Sequence, residues 1–318
     1  MAAAAAALAS TPKKEHPTAR TFLSLAPNRF IYCAMRDSLS HIPEGSTEKY
    51  VTANTWNGRQ KITPEQYIQG VLAARPDVCV PLSDLIPSGE SLKRVKKSVD
   101  RSLVMLDRHL EALGGSGIPV FGVVQGSRFP EERARSAQET AKRNPAGFSL
   151  EGHGCGEPEG EFVPLLERTL AHLPADKVRV LHGMFTPPQI LAAVGAGIDI
   201  VDGAYPLVVT ELGHALTFSL QAPGATRETE AYRLNLWDPA FSRDKGPLLP
   251  GCACYACQHH TRAYVHHLLN TRELLASVLL MSHNLHHFWG FFAEIRAATK
   301  DGAFKNKTEA FLKAYLST

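Results

Sequence analysis

Between residues 28 and 218 the chain alternates short apolar runs with longer segments of helical periodicity. The apolar runs favour strands, because they are short, bounded by polar or Gly/Pro residues and rich in β-branched and aromatic side chains. The predicted strands lie at 29–33, 77–82, 118–124, 147–150, 178–181 and 198–201. The periodic segments between them predict helices over 64–75, 90–113, 130–142, 160–172 and 187–195.

This alternation predicts an α/β fold in which parallel strands are joined by right-handed helical crossovers. A TIM-type (β/α)8 barrel and a doubly wound sheet both satisfy the pattern. We favour the barrel, because six strand–helix units are visible and no G-x-G-x-x-G sequence follows the first strand. A complete barrel needs eight units, so the visible count is two short.

Changes in composition along the chain divide it into three parts. A stretch rich in proline and glycine near 221–250 separates the barrel region, 22–220, from a C-terminal segment, 221–318. The alanine-rich start, 1–21, has a short apolar run with no charged region before it, which argues against a secretory signal. We expect it to be a disordered N-terminal arm.

Composition narrows the function classes only a little. The chain is 44% hydrophobic and 20% charged, which is ordinary for a soluble globular protein. No run approaches the ~18 apolar residues of a transmembrane helix. A net charge of +3 is too close to neutral to argue for or against nucleic-acid binding.

A local basic strip is the one place where the charge pattern offers RNA contact. It lies near the start of the helix predicted over 90–113 and is either a solvated helix face or a surface for phosphates. Its members are Lys93, Arg94, Lys96, Lys97 and Arg101.

Three of the six cysteines lie within six residues, in the C-x-C-x2-C cluster of Cys252, Cys254 and Cys257. Disulfides at C-x-C spacing are strained, whereas thiolates and imidazole bind tetrahedral zinc, usually in a closed four-ligand shell at structural sites. We therefore predict one structural Zn²⁺ in a Cys3His site in the C-terminal segment. The remaining cysteines are scattered and are expected to be buried free thiols: Cys33, Cys79 and Cys155.

Spacing alone leaves the fourth ligand open. His259 and His260 follow Cys257 too closely to complete the shell easily without strain. The other downstream candidates are His266, His267, His283, His286 and His287.

Several motifs around the cysteines and upstream of them belong together. They are LNLWD at 234–238, CACYAC at 252–257, TRAYVHHLL at 261–269, His283-Asn284, FGVVQG at 121–126 and GIDIVD at 197–202. Together they resemble the tRNA-guanine transglycosylases over about residues 22–300. The resemblance implies a TIM barrel with a zinc subdomain, and it implies that His283 is the fourth ligand of one Zn²⁺ per subunit. The family's N-terminal strands have no counterpart before Phe22 in this sequence, so the resemblance also implies a barrel that is incomplete at the N-terminus.

The resemblance also implies a reaction, the exchange of guanine for a modified base at the tRNA wobble position. One carboxylate attacks the ribose and a second moves protons, as in a retaining glycosidase. Asp202 matches the family's nucleophile and lies at the end of a predicted strand, where barrel active sites are built.

The remaining pocket motifs depart from the family pattern. Asp37-Ser38-Leu39-Ser40 lacks the glycines of the family's D-S-G-G-F-Q, which let the backbone approach a planar base. Pro206-Leu207-Val208 replaces P-T-R, and Glu151-Gly152-His153 replaces G-G-L. We therefore expect no catalytic residue on this chain and interpret Asp202 as a vestigial candidate.

Three further motifs resemble the family's second branch, the non-catalytic accessory subunits: VDRSL at 99–103, VTELGHALTF at 209–218 and GFF at 290–292. The branch implies a heterodimer with a catalytic queuine tRNA-ribosyltransferase subunit. That heterodimer inserts queuine at position 34 of tRNAs with GUN anticodons (Asp, Asn, His, Tyr) and contacts tRNA as a complex. The resemblance to this branch also implies a cytoplasmic protein that associates peripherally with the mitochondrial outer membrane. The sequence shows no membrane anchor.

Two other functions compete with this interpretation. The chain could be a self-sufficient transglycosylase that uses Asp202 as its nucleophile. A zinc-dependent hydrolase is disfavoured, because a Cys3His shell leaves no open position for a catalytic water.

Overall fold

The computed structural model describes residues 17–43, 45–87, 89–153, 160–221 and 232–316. It divides the chain into two compact units. The first comprises Met1–Phe185 with Ala192–Asp202, and the second Thr186–Leu191 with Gly203–Thr318. Most of the predicted arm, 1–16, and Cys155 lie outside the described residues.

The first unit is built from strand–helix repeats with one inserted hairpin. Its strands are β1 (Tyr32–Cys33), β2 (Val51–Thr55), β3 (Gly58–Ile62), β4 (Val78–Cys79), β5 (Phe121–Val124), β6 (Gly147–Leu150), β7 (Val178–Leu181) and β8 (Ile200–Val201). Its helices are α1 (Ala19–Phe22), α2 (Pro64–Ala74), α3 (Leu92–Leu113), α4 (Pro130–Lys142) and α5 (Phe162–Leu170), and α6 (Pro187–Gly195) spans the division between the units.

Six parallel strands lie in the same order in space as in sequence. β1 pairs with β4, and β5, β6, β7 and β8 form a continuous sheet. A single parallel bridge between Cys79 and Val120 joins the two sets. All six strands predicted from the apolar runs are present, and so are the five predicted helices, with small shifts at their ends.

The sheet is curved rather than flat. The hydroxyl of Tyr32 on β1 donates a hydrogen bond to the Ser149 hydroxyl on β6 at 3.0 Å, although these strands are not neighbours. Ser38, which follows β1, donates to Asp202, which follows β8. Sequential strand order with contact across the sheet is consistent with the expected TIM-like fold.

Helix α3 illustrates why these segments fold as they do. Ser91 caps its start by accepting the N–H of Arg94. Apolar side chains recur on one face, including the fully buried Val95, Val99 and Met105. Helix α2 begins with a full capping box, in which Thr63 and Gln66 each accept the other's backbone N–H.

The hairpin formed by β2 and β3 was not predicted. Its strands pair antiparallel across a two-residue turn, with Thr55 opposite Gly58. Four of the five residues of β3 are exposed, so the strand carries no apolar run from which a pattern argument could identify it.

The second unit is mainly helical around one small antiparallel pair. Its elements are α7 (Tyr205–Glu211), β9 (His214–Leu216), β10 (Arg233–Asn235), a 3₁₀ turn (Pro239–Arg243), α8 (Tyr255–His259), α9 (Arg262–Asn270), α10 (Leu274–Lys300) and α11 (Phe304–Leu316). Leu236, Leu248, Val265 and Leu280 lie in its core, and Cys252 and Cys257 pack against that cluster. Across the described helices of both units, none is long and apolar enough to cross a membrane.

Candidate metal centre and strand-end cleft

The three clustered cysteines lie at the start of α8. Cys254 is the N-cap residue of this helix, and its sulfur accepts the N–H of Cys257 at 3.4 Å. Cys252 lies just before it, and Cys257 is in the first turn. His283 lies in α10 and is fully buried. These four residues come from two elements far apart in sequence and meet in the second unit.

The ligand atoms are arranged around one point. The Nδ1 atom of His283 lies 3.8 Å from the sulfur of Cys252, 3.4 Å from that of Cys254 and 3.3 Å from that of Cys257. All four candidate ligand atoms lie within 4.8 Å of one another. The cluster therefore could hold a metal ion.

The spacing fits a tetrahedral ion of zinc's size. Zinc–sulfur bonds of about 2.3 Å and zinc–nitrogen bonds of about 2.0 Å at tetrahedral angles place nitrogen and sulfur roughly 3.5 Å apart. The three observed Nδ1–sulfur distances lie on either side of that value. A closed set of three sulfurs and one nitrogen suits a structural ion.

Backbone and amide groups fix the orientation of the His283 ring. Its Nε2 lies 2.9 Å from the carbonyl oxygen of Leu216 on β9. Because only a protonated nitrogen can donate to a carbonyl, Nε2 carries a hydrogen, and Nδ1 is the nitrogen directed at the three sulfurs. A bound metal ion would take the place of a proton on Nδ1. The next residue, Asn284, accepts the N–H of Leu216 at 2.8 Å and donates to the carbonyl of His214 at 3.0 Å.

The electrostatics of the cluster favour opposite charges on His283 and Cys254. Burial lowers the pKa of His283, but its contacts with the three cysteine sulfurs outweigh burial and raise that pKa to about 12. Burial raises the pKa of Cys254, but contacts with His283 and with the N–H of Cys257 outweigh it and lower that pKa to about 6. Burial is the largest influence on Cys257 and raises its pKa, so Cys254 is the thiol whose pKa the cluster lowers. A divalent ion bound among the four ligand atoms would favour the thiolate form of all three cysteines.

Other candidate histidines make different contacts. The Nδ1 of His266 lies 2.8 Å from the carbonyl oxygen of Leu236. His260 stacks on the ring of Tyr264, with ring centroids 5.2 Å apart. His287 packs edge-on against a phenylalanine ring. Within the described part of the chain, one cluster of side chains could hold a metal ion, and His283 is its only histidine.

A second candidate site is a cleft in the first unit with a volume of about 270 Å³. It opens where β1, β4, β6 and β7 end, the edge at which parallel α/β folds bind ligands. Its lining includes Arg36, Ser38, Ser83, Glu151 and His182.

Asp202 lies at this edge, directly after β8, with its carboxylate engaged by two neighbours. It accepts the hydroxyl of Ser38, and its Oδ2 lies 3.4 Å from the Nε2 of His182. No sequence motif identifies His182. Its position directly after β7, matching that of Asp202 after β8, could have identified it.

Two other carboxylates lie at the cleft. Glu151 is only 7% exposed, and its oxygens lie 3.3 Å from the Ser83 hydroxyl and 3.4 Å from the Ser149 hydroxyl. Asp37 is exposed, and it accepts the N–H of Leu39 at 2.8 Å. A buried carboxylate therefore stands where the resemblance expects a glycine, and it narrows the space open to a planar base.

The structure also separates the members of the basic strip. Arg94 makes a bidentate ion pair with Asp84, with both nitrogen–oxygen distances 2.8 Å. Arg101 contacts the same carboxylate at 2.9 Å, and Asp84 is fully buried. These two arginines therefore hold the start of α3 against the loop after β4. The three lysines of the strip are exposed.

Comparison with known families gives a match along most of the chain. The family model described as "Queuine tRNA-ribosyltransferase" matches residues 33–317. This range includes the strand-end cleft, Asp202 and all four candidate metal ligands.

Individual relatives agree with the family match. A Xenopus tropicalis protein named "Queuine tRNA-ribosyltransferase accessory subunit 2" is 39% identical over 324 residues, which cover 90% of this chain and 78% of the relative. Proteins of the same name from Homo sapiens and Danio rerio are each 37% identical, covering 86% and 84% of this chain and 75% and 73% of those relatives.

Proposed function

Because the chain belongs to the queuine tRNA-ribosyltransferase family, we propose that it is the non-catalytic accessory subunit of a queuine tRNA-ribosyltransferase. In this role it pairs with a catalytic paralogue. The heterodimer exchanges guanine for queuine at the wobble position of tRNAs with GUN anticodons, and the chemistry is performed by the partner.

Glu151 is the observation that carries the non-catalytic assignment. A buried carboxylate in the cleft both occupies volume and repels the electron-rich carbonyl edge of a purine. Asp202 still lies at the strand end, but its carboxylate is engaged by Ser38 and His182. The second unit retains all four residues of the cysteine–histidine cluster. The features that the chain keeps therefore support a structural role and not a catalytic one.

The decisive experiment measures incorporation of labelled queuine into tRNA by three samples: this chain alone, the catalytic paralogue alone, and the two mixed. We expect efficient incorporation by the mixture and none by this chain. Asp202→Asn in this chain should leave the activity of the mixture unchanged.

The alternative is a self-sufficient transglycosylase with Asp202 as nucleophile. Incorporation by the isolated chain that disappears in Asp202→Asn would establish this alternative and refute the accessory role. Glu151→Gly in the isolated chain is a second probe, because it restores the small residue that the family pattern has at this position.

We infer that the ion held by Cys252, Cys254, Cys257 and His283 is Zn²⁺, one per subunit. The donor set and the nitrogen–sulfur distances support this choice. Zinc in such a closed shell supplies cross-linking between α8 and α10 rather than chemistry. Elemental analysis of the purified chain should give one zinc per chain.

We further infer that the six sequential parallel strands belong to a TIM-type barrel spanning about 22–220, followed by a zinc-binding segment over 221–318. Strand order and the contact between Tyr32 and Ser149 support this reading. For the cellular site we propose the cytoplasm, with peripheral association with the mitochondrial outer membrane, which fractionation of cells expressing the tagged chain would test.

A further inference from the structure

The inserted hairpin carries an aromatic side chain held entirely in solvent. Trp56 lies in the turn between β2 and β3 and is 100% exposed. The hairpin beneath it is anchored, since Val51 packs with Leu82 and Met105 in a buried cluster. A large apolar ring on a fixed support costs hydration free energy, which a stacking partner would recover.

Positive charge surrounds this hairpin. Arg59 and Lys61 lie on the exposed strand β3, and Lys49 lies just before β2. The Lys61 ammonium lies 4.9 Å from the centroid of the Tyr50 ring. Glu48 is the one acidic residue among described positions 45–62.

The start of α3 carries three more cations. Lys93, Lys96 and Lys97 are exposed, and the first turn of the helix contains no acidic residue. Cations at a helix N-terminus oppose the macrodipole, so helix stability does not account for them. Among the described side chains no ion pair reaches these lysines, and the nearby Asp100 is held by Arg135 at 2.7 Å.

A chain of contacts joins the two basic segments. Lys93, Lys97 and Arg101 recur every four residues and so share one helix face. Arg101 donates to the carbonyl of Ser46 at 2.8 Å. The guanidinium of Arg59 lies over the adjacent Gly45, where an added Cβ would be 3.0 Å from its Nη2. The basic surface formed by the lysines of α3 is therefore continuous with the base of the hairpin.

We propose that this surface, formed by Trp56, Arg59 and Lys61 of the hairpin and Lys93, Lys96 and Lys97 of α3, binds RNA. The lysines and arginine contact backbone phosphates, and Trp56 stacks on an unpaired base. This proposal rests on the proposed function, because it gives the accessory subunit its own contact with the RNA substrate. The surface lies on the side of the sheet where the strand-end cleft opens, since the hairpin follows β1 and α3 follows β4.

The same chemistry could suit an anionic membrane, but the surroundings of Trp56 favour RNA. Its neighbours Thr55, Asn57 and Gly58 are polar or small, so the tryptophan ring is the one large apolar group at this turn. Membrane-surface segments insert several apolar side chains into lipid, which this turn does not offer. A single aromatic ring is sufficient to stack on one base.

The test is fluorescence-anisotropy titration of the purified full chain with an RNA stem-loop and with a fully paired RNA duplex. Trp56→Ala should weaken stem-loop binding about 5-fold to 150-fold and leave duplex binding unchanged. Replacing Lys93, Lys96 and Lys97 by glutamine should weaken both, and should reduce the salt slope, d log K/d log [salt], by about 2 to 3. Because all four positions are exposed, these variants should fold like the original chain.

Matched controls are Trp289→Ala, which removes another exposed tryptophan (67%), and Lys305→Gln, which removes an exposed lysine of the second unit. Both should bind RNA like the original chain.

Equal RNA affinities for all variants would overturn the proposal. So would Trp56-dependent sedimentation with phosphatidylcholine–phosphatidylserine vesicles combined with Trp56-independent RNA binding, which would assign the surface to membranes. Retained Trp56-dependent RNA binding without queuine incorporation by the mixed subunits would count against the proposed function alone.

Discussion

Leu216 bonds both to His283 through its carbonyl oxygen, at 2.9 Å, and to the neighbouring Asn284 through its N–H, at 2.8 Å. The first bond turns Nε2 of the histidine away from the sulfurs and leaves Nδ1 facing them, and the second fixes the helix that carries the ring. One backbone position on β9 therefore determines how Nδ1 of His283 faces the sulfurs of Cys252, Cys254 and Cys257.

Replacing Asn284 should test this arrangement. Asn284→Ala leaves the N–H of Leu216, the carbonyl of His214 and the hydroxyl of Thr210 without their bonds to the amide. We expect a loss of roughly 2 to 4 kcal/mol in the free energy of unfolding and metal affinity reduced about 10-fold to 100-fold. Urea unfolding and competition with a chromogenic chelator measure the two effects. The exposed Asn270→Ala should change metal affinity little, and an unchanged affinity in Asn284→Ala would contradict the argument.

Removal of one sulfur ligand should be more damaging. Cys254→Ala opens the shell, and the stability linked to metal binding is then lost. That stability is about 4 kcal/mol when the free metal is ~1,000 times its Kd. Elemental analysis and thermal unfolding followed by circular dichroism should show both changes, and a chelator should reproduce them in the original chain.

The control for this prediction is Cys33→Ala, which removes a buried thiol in the first unit. It should retain the metal and lose about 1 kcal/mol. A metal-loaded Cys254→Ala chain of unchanged stability would show that the cluster does not hold the ion.

Asp84 should matter for stability because its buried carboxylate neutralises two arginines. Asp84→Asn keeps the shape but removes the charge shared by Arg94 and Arg101. Breaking a buried ion pair from one side costs about 3 to 5 kcal/mol, which urea unfolding should reveal. Asp100→Asn, at a side chain 63% exposed, should cost less than about 1 kcal/mol. Equal effects of the two substitutions would contradict the role given to Asp84.

Acid should destabilise the first unit through His109. Burial is the main cause that lowers the pKa of this fully buried histidine from 6.5 to about 4. Between those pH values the unfolded chain binds a proton that the folded chain does not, so stability falls as the pH is lowered from about 6.5 to about 4. The full contribution is on the order of 3 kcal/mol.

His109→Gln should flatten this part of the stability profile, since glutamine does not titrate. The measurement is the free energy of unfolding at several pH values, taken as the difference between variant and original chain so that acid release of metal cancels. His41→Gln, at an exposed position, is the control and should preserve the slope. A slope unchanged by His109→Gln would show that other groups set the acid sensitivity.

Local pattern was sufficient for the main elements of the fold. The six parallel strands and five helices followed from apolar periodicity, because each element buries one face and its own residues record that burial. The β2–β3 hairpin escaped this reasoning because β3 is almost entirely exposed. The sequence pattern also left Arg94 and Arg101 on an exposed basic face, whereas both pair with the buried Asp84. Asp84 follows β4, so the helix's own sequence does not indicate this pairing.

The sequence by itself determined the α/β alternation, the clustered cysteines and, through the family motifs, the choice of His283. Spacing alone left seven histidines open, because His283 lies 26 residues beyond Cys257 and no local rule spans that distance. Tertiary structure decided which nitrogen of that ring faces the sulfurs, which arginines are neutralised, and that Trp56 stands in solvent. Each of these depends on a contact or an exposure created by packing between distant segments, which periodicity along the chain does not encode.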